Sequence, residues 1–166
     1  MKPIDKLAFK QYHLSYLLSG SQKKRLKVIF RFYDLDRLKE YITKWQYIGL
    51  INDYGFYEKG EERKLLMNFC DNFLKIMEVF YIRSKQKTLK QFNRMTLLSR
   101  EEIKNTNIVL DSFTNQYSIE YAKMELLDLL NVVISYNNGD VVNRSDILPF
   151  FITVNCLLEL VYEKDK

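Results

Sequence analysis

His13 is the single histidine of the chain. Any scheme that needs an imidazole, as general base, partner of a nucleophile or metal ligand, must therefore be built on that one residue. It lies in the aromatic stretch Tyr12-His13-Leu14-Ser15-Tyr16, without an acidic neighbour to orient it, and reads as a structural histidine. No Arg precedes it, so an Arg-then-His pair for RNA cleavage cannot be assembled. Cys70 and Cys156 stand far apart with no paired spacing. Neither a disulfide framework nor a zinc knuckle follows, and both read as buried thiols.

Carboxylates offer the next chemistry. Asp34-Leu35-Asp36 and the trio Glu120, Glu125 and Asp128 group the oxygen ligands that Mg²⁺ prefers. Short acidic pairs at helix starts serve more simply as caps and dipole partners, and that role is expected of them. The run Gly55-Phe56-Tyr57-Glu58-Lys59-Gly60 has the glycine spacing of a phosphate-binding loop. Glu61 and Glu62 then stand where Lys and Ser or Thr are needed, and carboxylates there repel phosphate. Asn137 to Asp146 lacks the alternating oxygens and closing Glu of a calcium loop. The expectation is a protein that is not an enzyme and holds no metal or cofactor.

The basic residues are what remain. Residues 1–100 carry 21 Lys and Arg against 10 Asp and Glu, a net +11, while residues 101–166 carry 5 against 11, a net −6. Such asymmetry points to an acidic partner or a nucleic acid at one end of the chain. Between Asp5 and Asp34 lie Lys6, Lys10, Lys23, Lys24, Arg25, Lys27 and Arg31 without one acid. Between Glu78 and Glu101 lie Arg83, Lys85, Lys87, Lys90, Arg94 and Arg100. The residues expected to bind a partner or nucleic acid are Lys23, Lys24, Lys27 and Arg31, then Arg83, Lys85, Lys87 and Lys90. The competing reading is a solvated face, or one neutralised by the acidic half within the fold or across a dimer.

The elements that position these residues are helical. The chain is 47% hydrophobic with 12 Tyr and 11 Phe, which excludes a disordered tail protein and predicts an aromatic core. Few Gly, Pro and Ala beside abundant Lys, Asn, Ile, Phe and Tyr suggest an AT-rich coding sequence, as in a low-GC bacterium, a phage or a mobile element. Ile4, Leu7, Leu14, Leu17 and Leu18 predict a first helix, which Ser19-Gly20-Ser21 ends while capping the next. Leu26, Ile29, Phe30 and Tyr33 form the inner stripe of that next helix, and Lys23, Lys27 and Arg31 line another face. Asp34 and Asp36 break it and cap a third helix through Leu38, Tyr41, Ile42, Trp45 and Ile48. Residues 50–57 are predicted to form a small hairpin or ordered loop.

A long helix follows from about residue 61, with Leu66, Cys70, Phe73, Met77 and Phe80 inward at the centre of the fold. Residues 82–98 read as a basic connector or short helix. Ser99-Arg100-Glu101-Glu102 is a capping box that starts a helix carrying Ile103, Leu110 and Phe113. From Ser118 to Tyr136 apolar residues cover most of the circumference, which marks a core helix or a subunit interface. Asn143 or Ser145 caps the last helix, whose inner stripe is Ile147, Phe151, Val154, Leu158 and Val161 and in which Pro149 fits only the first turn.

The expected fold is all-α: one helical domain over residues 1–166, a bundle of about six helices. It divides at most into a basic three-helix module (1–60) and a helical oligomerisation part (61–166). No leader follows Met1-Lys2-Pro3-Ile4-Asp5-Lys6, and the apolar stretch from Ile147 to Tyr162 falls short of the roughly 20 residues of a membrane span. A cytoplasmic protein with no integral span is expected.

The expected function is non-enzymatic: an accessory or regulatory protein that works by self-assembly or through a protein partner. In one form of self-assembly the basic surface of one copy meets the acidic surface of another head to tail. The alternative is DNA or RNA binding through a basic helical face or a winged-helix arrangement. In the latter Asp36 to Ile48 would be the recognition helix, offering Arg37, Lys39, Lys44 and Gln46 to the groove with Glu40 opposing it.

Overall fold

The computed structural model describes residues 20–51, 56–85, 96–136 and 143–163. The helix predicted over residues 4–18, with Lys6, Lys10 and His13, lies outside the described residues. Seven helices are described: α1 (Gln22–Phe32), α2 (Leu35–Ile51), α3 (Gly60–Lys85), α4 (Arg100–Lys104), α5 (Asn107–Gln116), α6 (Ile119–Ser135) and α7 (Arg144–Tyr162). There is no strand among the described residues, and the all-α helical bundle is the observed architecture.

Polar residues read from the sequence set many of the ends. The Ser21 hydroxyl accepts from the Lys24 backbone N–H and Ser118 from that of Tyr121. The Asp34 carboxylate accepts from the Arg37 backbone N–H at 2.7 Å, so this acid caps α2. Ser99 and Glu102 close the capping box, and Asn143 rather than Ser145 caps α7. Gly20, just before α1, has φ +113, a left-handed conformation that L side chains rarely adopt.

The central helix is α3, which packs against α1, α2 and α5. It runs antiparallel to α2, whose early Lys39 meets Glu78 and whose late Gly49 lies against Leu66. A Cβ on Gly49 would sit 3.0 Å from the Leu66 side chain and 3.4 Å from Leu129 and Tyr57, so the missing side chain lets α2, α3 and α6 converge. On its other side α3 lies antiparallel to α5, tied by Asn72 to Gln116 and Tyr117 at one end and by Arg83 to Thr106 and Asn107 at the other. Phe69, Phe73, Phe113 and Tyr117 fill the space between them. Helix α7 packs on α6, α1 and α5, and its Phe150 meets Trp45 edge to face at 4.9 Å.

Several expectations need correction. Leu50 and Ile51 complete α2 instead of opening a strand, and Phe56 to Lys59 are irregular; Asn52 to Gly55 lie outside the described residues. Helix α3 absorbs residues 82–85, while 86–95 lie outside the description. The single helix expected after Ser99 is two, because Asn105 takes a non-helical conformation that stops α4, and α5 starts anew at Asn107. Pro149 sits beyond the first turn of α7, where the ring denies Ser145 its helical hydrogen bond. Phe150 is buried and Phe151 only half-buried, so the inner stripe is wider than predicted. Because α7 begins at Arg144, it is long and apolar enough by composition to cross a membrane, a test that the core helix of a bundle also passes.

Candidate functional site

Helix α1 is eleven residues with five cations and no carboxylate. Leu26 and Ile29, with Tyr33 just beyond, bury its inner side. That burial fixes the rotation of the helix, because residues three and four apart share a face. Lys24, Lys27 and Arg31 are consequently exposed, and Lys23 is half-exposed beside them. From Lys24 to Arg31 the face is about 10 Å long at 1.5 Å per residue. Two anchors hold the start of the helix against the end of α7: the Gln22 side-chain amide donates to the Leu160 carbonyl at 3.1 Å, and the Arg25 guanidinium forms a two-pronged pair with Glu163.

The electrostatics of α1 run against its own stability. Lys23, Lys24 and Arg25 stand in the first turn, where the backbone already presents a partial positive charge. Lys23, Lys27 and Arg31 follow one another at spacings of four, which sets like charges side by side. Among the described residues only Arg25 of the five cations has a counter-ion, and the side chains of Lys23, Lys24, Lys27 and Arg31 make no ion pair or hydrogen bond. An anionic surface laid along this face would relieve both strains.

The second predicted basic run is different. Arg83 donates through Nε to Thr106 Oγ1 at 3.1 Å and through a terminal nitrogen to Asn107 Oδ1 at 2.6 Å, so it ties α3 to the start of α5. Lys85 is the last residue of α3, and Lys87 and Lys90 lie outside the described residues. Three of the four winged-helix candidates on α2, all but Gln46, are also engaged. Arg37 lies over the Tyr33 and Tyr41 rings, Lys44 pairs with Glu40, and Lys39 reaches Glu78 at 2.5 Å.

Two buried carboxylates were not singled out by pattern as structural groups. Glu78 is fully buried, and besides Lys39 it accepts from the Thr96 hydroxyl at 2.6 Å and from the Leu97 N–H at 3.0 Å. It thereby fastens residues 96–98 and α2 to α3. Its one sequence signal is an acid inside the apolar run Ile76 to Ile82.

Glu125, weighed above as a metal ligand, is 8% exposed, and its Oε1 has no hydrogen-bond partner. Burial raises its carboxyl above the usual range; nearby Tyr57 and Tyr121 oppose the rise, and Asp128 adds to it. Burial likewise pushes the Tyr121 hydroxyl up to about 12 and the Cys70 thiol well above its ordinary value. A phenol and a thiol held protonated in this way are poor nucleophiles. No group of three or more His, Cys, Asp or Glu suited to a metal ion occurs among the described residues.

The arrangement on α1 can therefore hold an anionic surface. No protein-family model, curated protein or solved structure matches this chain.

Proposed function

We propose that the protein is a non-enzymatic helical binding module of the cytoplasm that docks on an acidic protein surface through the outward face of α1. The observation that carries this reading is the set of four cations, Lys23, Lys24, Lys27 and Arg31, whose side chains have no partner among the described residues, on a helix that has no acid. Arg25 of the same helix and Lys39, Lys44, Lys75 and Lys123 elsewhere each meet a carboxylate. Asp34 and Asp36, both exposed at the end of the same face, favour a protein partner with mixed charge over a uniformly anionic duplex. The absence of any acid along α1 itself favours a second reading, contact with nucleic-acid phosphates.

Fluorescence anisotropy with a labelled polyglutamate peptide, a mixed-sequence DNA duplex and a single-stranded RNA separates the two. At about 50 mM salt, where charges act over more than 10 Å, the peptide binds; at about 500 mM it is released. A Lys23→Glu/Lys24→Glu/Lys27→Glu variant loses about tenfold or more in peptide affinity. Tighter binding of the duplex or RNA, with a log–log salt slope near 0.9 per phosphate on the duplex, replaces the first reading by the second. Failure of all three probes removes the face from consideration.

A further inference from the structure

Helix α6 is apolar on two sides. Its inner side, including Ala122, Leu126, Leu129 and Val133, is buried. Its outer side runs Glu120, Met124, Leu127, Asn131, Ile134, in alternating steps of four and three. Met124 is 64% exposed, Leu127 47% and Ile134 57%. This spacing is that of a helix-packing seam, and a single Asn within such a seam is a known device for fixing register.

Helix α7 continues the surface with Leu148, Ile152, Asn155 and Glu159, again spaced by four and three; Leu148 is 57% exposed. The pair Lys123–Glu159, 3.0 Å apart, sets the relative level of the two helices, and the Tyr162 hydroxyl donating to the Tyr117 carbonyl at 2.8 Å, later along one segment of chain and earlier along the other, makes them antiparallel. Eleven residues on along α6 and eleven back along α7, Ile134 stands level with Leu148. By the same count Leu127 stands level with Asn155.

We propose that this α6–α7 face is a homodimer interface, covered by the same face of a second copy about a twofold axis parallel to the two helices. Such an axis leaves no freedom in level. Each α6 then lies against α7 of the other copy, antiparallel, and the four helices form a bundle in which every neighbouring pair has opposed dipoles.

The charges fit themselves in this arrangement. Lys123 of one copy comes level with Glu159 of the other, so the two ion pairs at that end close into an alternating ring of four charges. At the other end Ile134 and Leu148 from both copies make an apolar layer, and the polar Asn131 and Asn155 fall between the ends. The contact is isologous, unlike the head-to-tail meeting of basic and acidic halves expected from the sequence. It uses none of the α1 cations, so it stands apart from the proposed partner site.

Light scattering on size-exclusion peaks tests the proposal. The wild type should show twice the 20.0 kDa chain mass. Leu127→Glu, at an exposed position that leaves the inner stripe untouched, should weaken dimerisation about a hundredfold, with far-UV circular dichroism confirming the helices. A charge exchange reads the arrangement itself. Lys123→Glu alone places four carboxylates in the ring, and Glu159→Lys alone places four cations; each should weaken its own dimer about tenfold. Mixed together, the two variants should restore a dimer of one chain of each.

A monomeric wild type overturns the proposal, and so does a monomer that binds lipid vesicles through Leu127. A dimer indifferent to Leu127→Glu places the interface elsewhere. A dimer lost in Leu127→Glu but not restored by mixing the charge variants overturns the parallel twofold arrangement.

Discussion

The seam where α3 meets its neighbours and the outer face of α1 both carry charge, and they use it in opposite ways. In the seam Glu78 is surrounded by the Lys39 ammonium, the Thr96 hydroxyl and the Leu97 N–H, and Arg83 spans two acceptors on α5. On α1 four cations face outward with nothing to answer them among the described residues. A buried charge is retained only where the fold supplies its partners, whereas an exposed one costs little and is free to meet another molecule. The seam is thus framework and the α1 face is available for binding.

Breaking the framework should give the largest effect. Lys39→Met leaves the fully buried Glu78 carboxylate without its cation and should cost about 3–5 kcal/mol of stability, read as a lower urea midpoint. An unchanged midpoint would mean that the seam does not depend on matched charge. Arg83→Ala removes two hydrogen bonds from a charged donor and should cost about 2 kcal/mol, with faster amide exchange at the start of α5. If Arg83 instead belonged to the binding face, partner affinity would fall while stability held.

Glu125 sharpens the comparison because it is framework with an unmet need. Burial raises its folded-state value above the unfolded one, so the folded chain holds the proton more tightly. Its contribution to stability should therefore be fully present below the ordinary carboxylate range and be lost as pH rises through the raised value. Glu125→Gln should flatten that part of the stability profile, measured by urea unfolding across pH. Glu102 runs the other way. Although partial burial opposes it, the Ser99 backbone N–H and Lys75 hold its carboxyl below the usual range, so its contribution is present above the unfolded value and lost as pH falls.

Much of the framework was legible because it rests on local rules. Ser21, Asp34, Ser99, Ser118 and Asn143 each start a helix where a short polar side chain satisfies free backbone N–H groups. The 3.6-residue stripe through Leu66, Phe73 and Phe80 identified α3 as central. The α1 cations were found because a helix with no acid is visible in composition alone.

What stayed hidden depends on distant residues. Arg83 looked like Lys87 or any other surface cation until Thr106 and Asn107 were placed against it. Glu78 gained its role from Lys39, Thr96 and Leu97, which no local window contains. The apolar residues of α6 formed two stripes, and periodicity does not say which stripe its own chain covers. Asn105, which splits the predicted helix into α4 and α5, has no strong breaking character of its own.

The smallest expected change in stability belongs to the measurement that decides most. Lys23→Glu/Lys24→Glu/Lys27→Glu places two of its three acids, at positions 23 and 24, in the first turn of α1, where the helix dipole favours them by roughly 0.3–1 kcal/mol each at low salt. Thermal unfolding and polyglutamate binding on this one variant test whether α1 is a face held ready for a partner. The account predicts a melting temperature equal to or above that of the wild type together with loss of binding. Binding retained in full, or a melting temperature that falls along with the affinity, would contradict it.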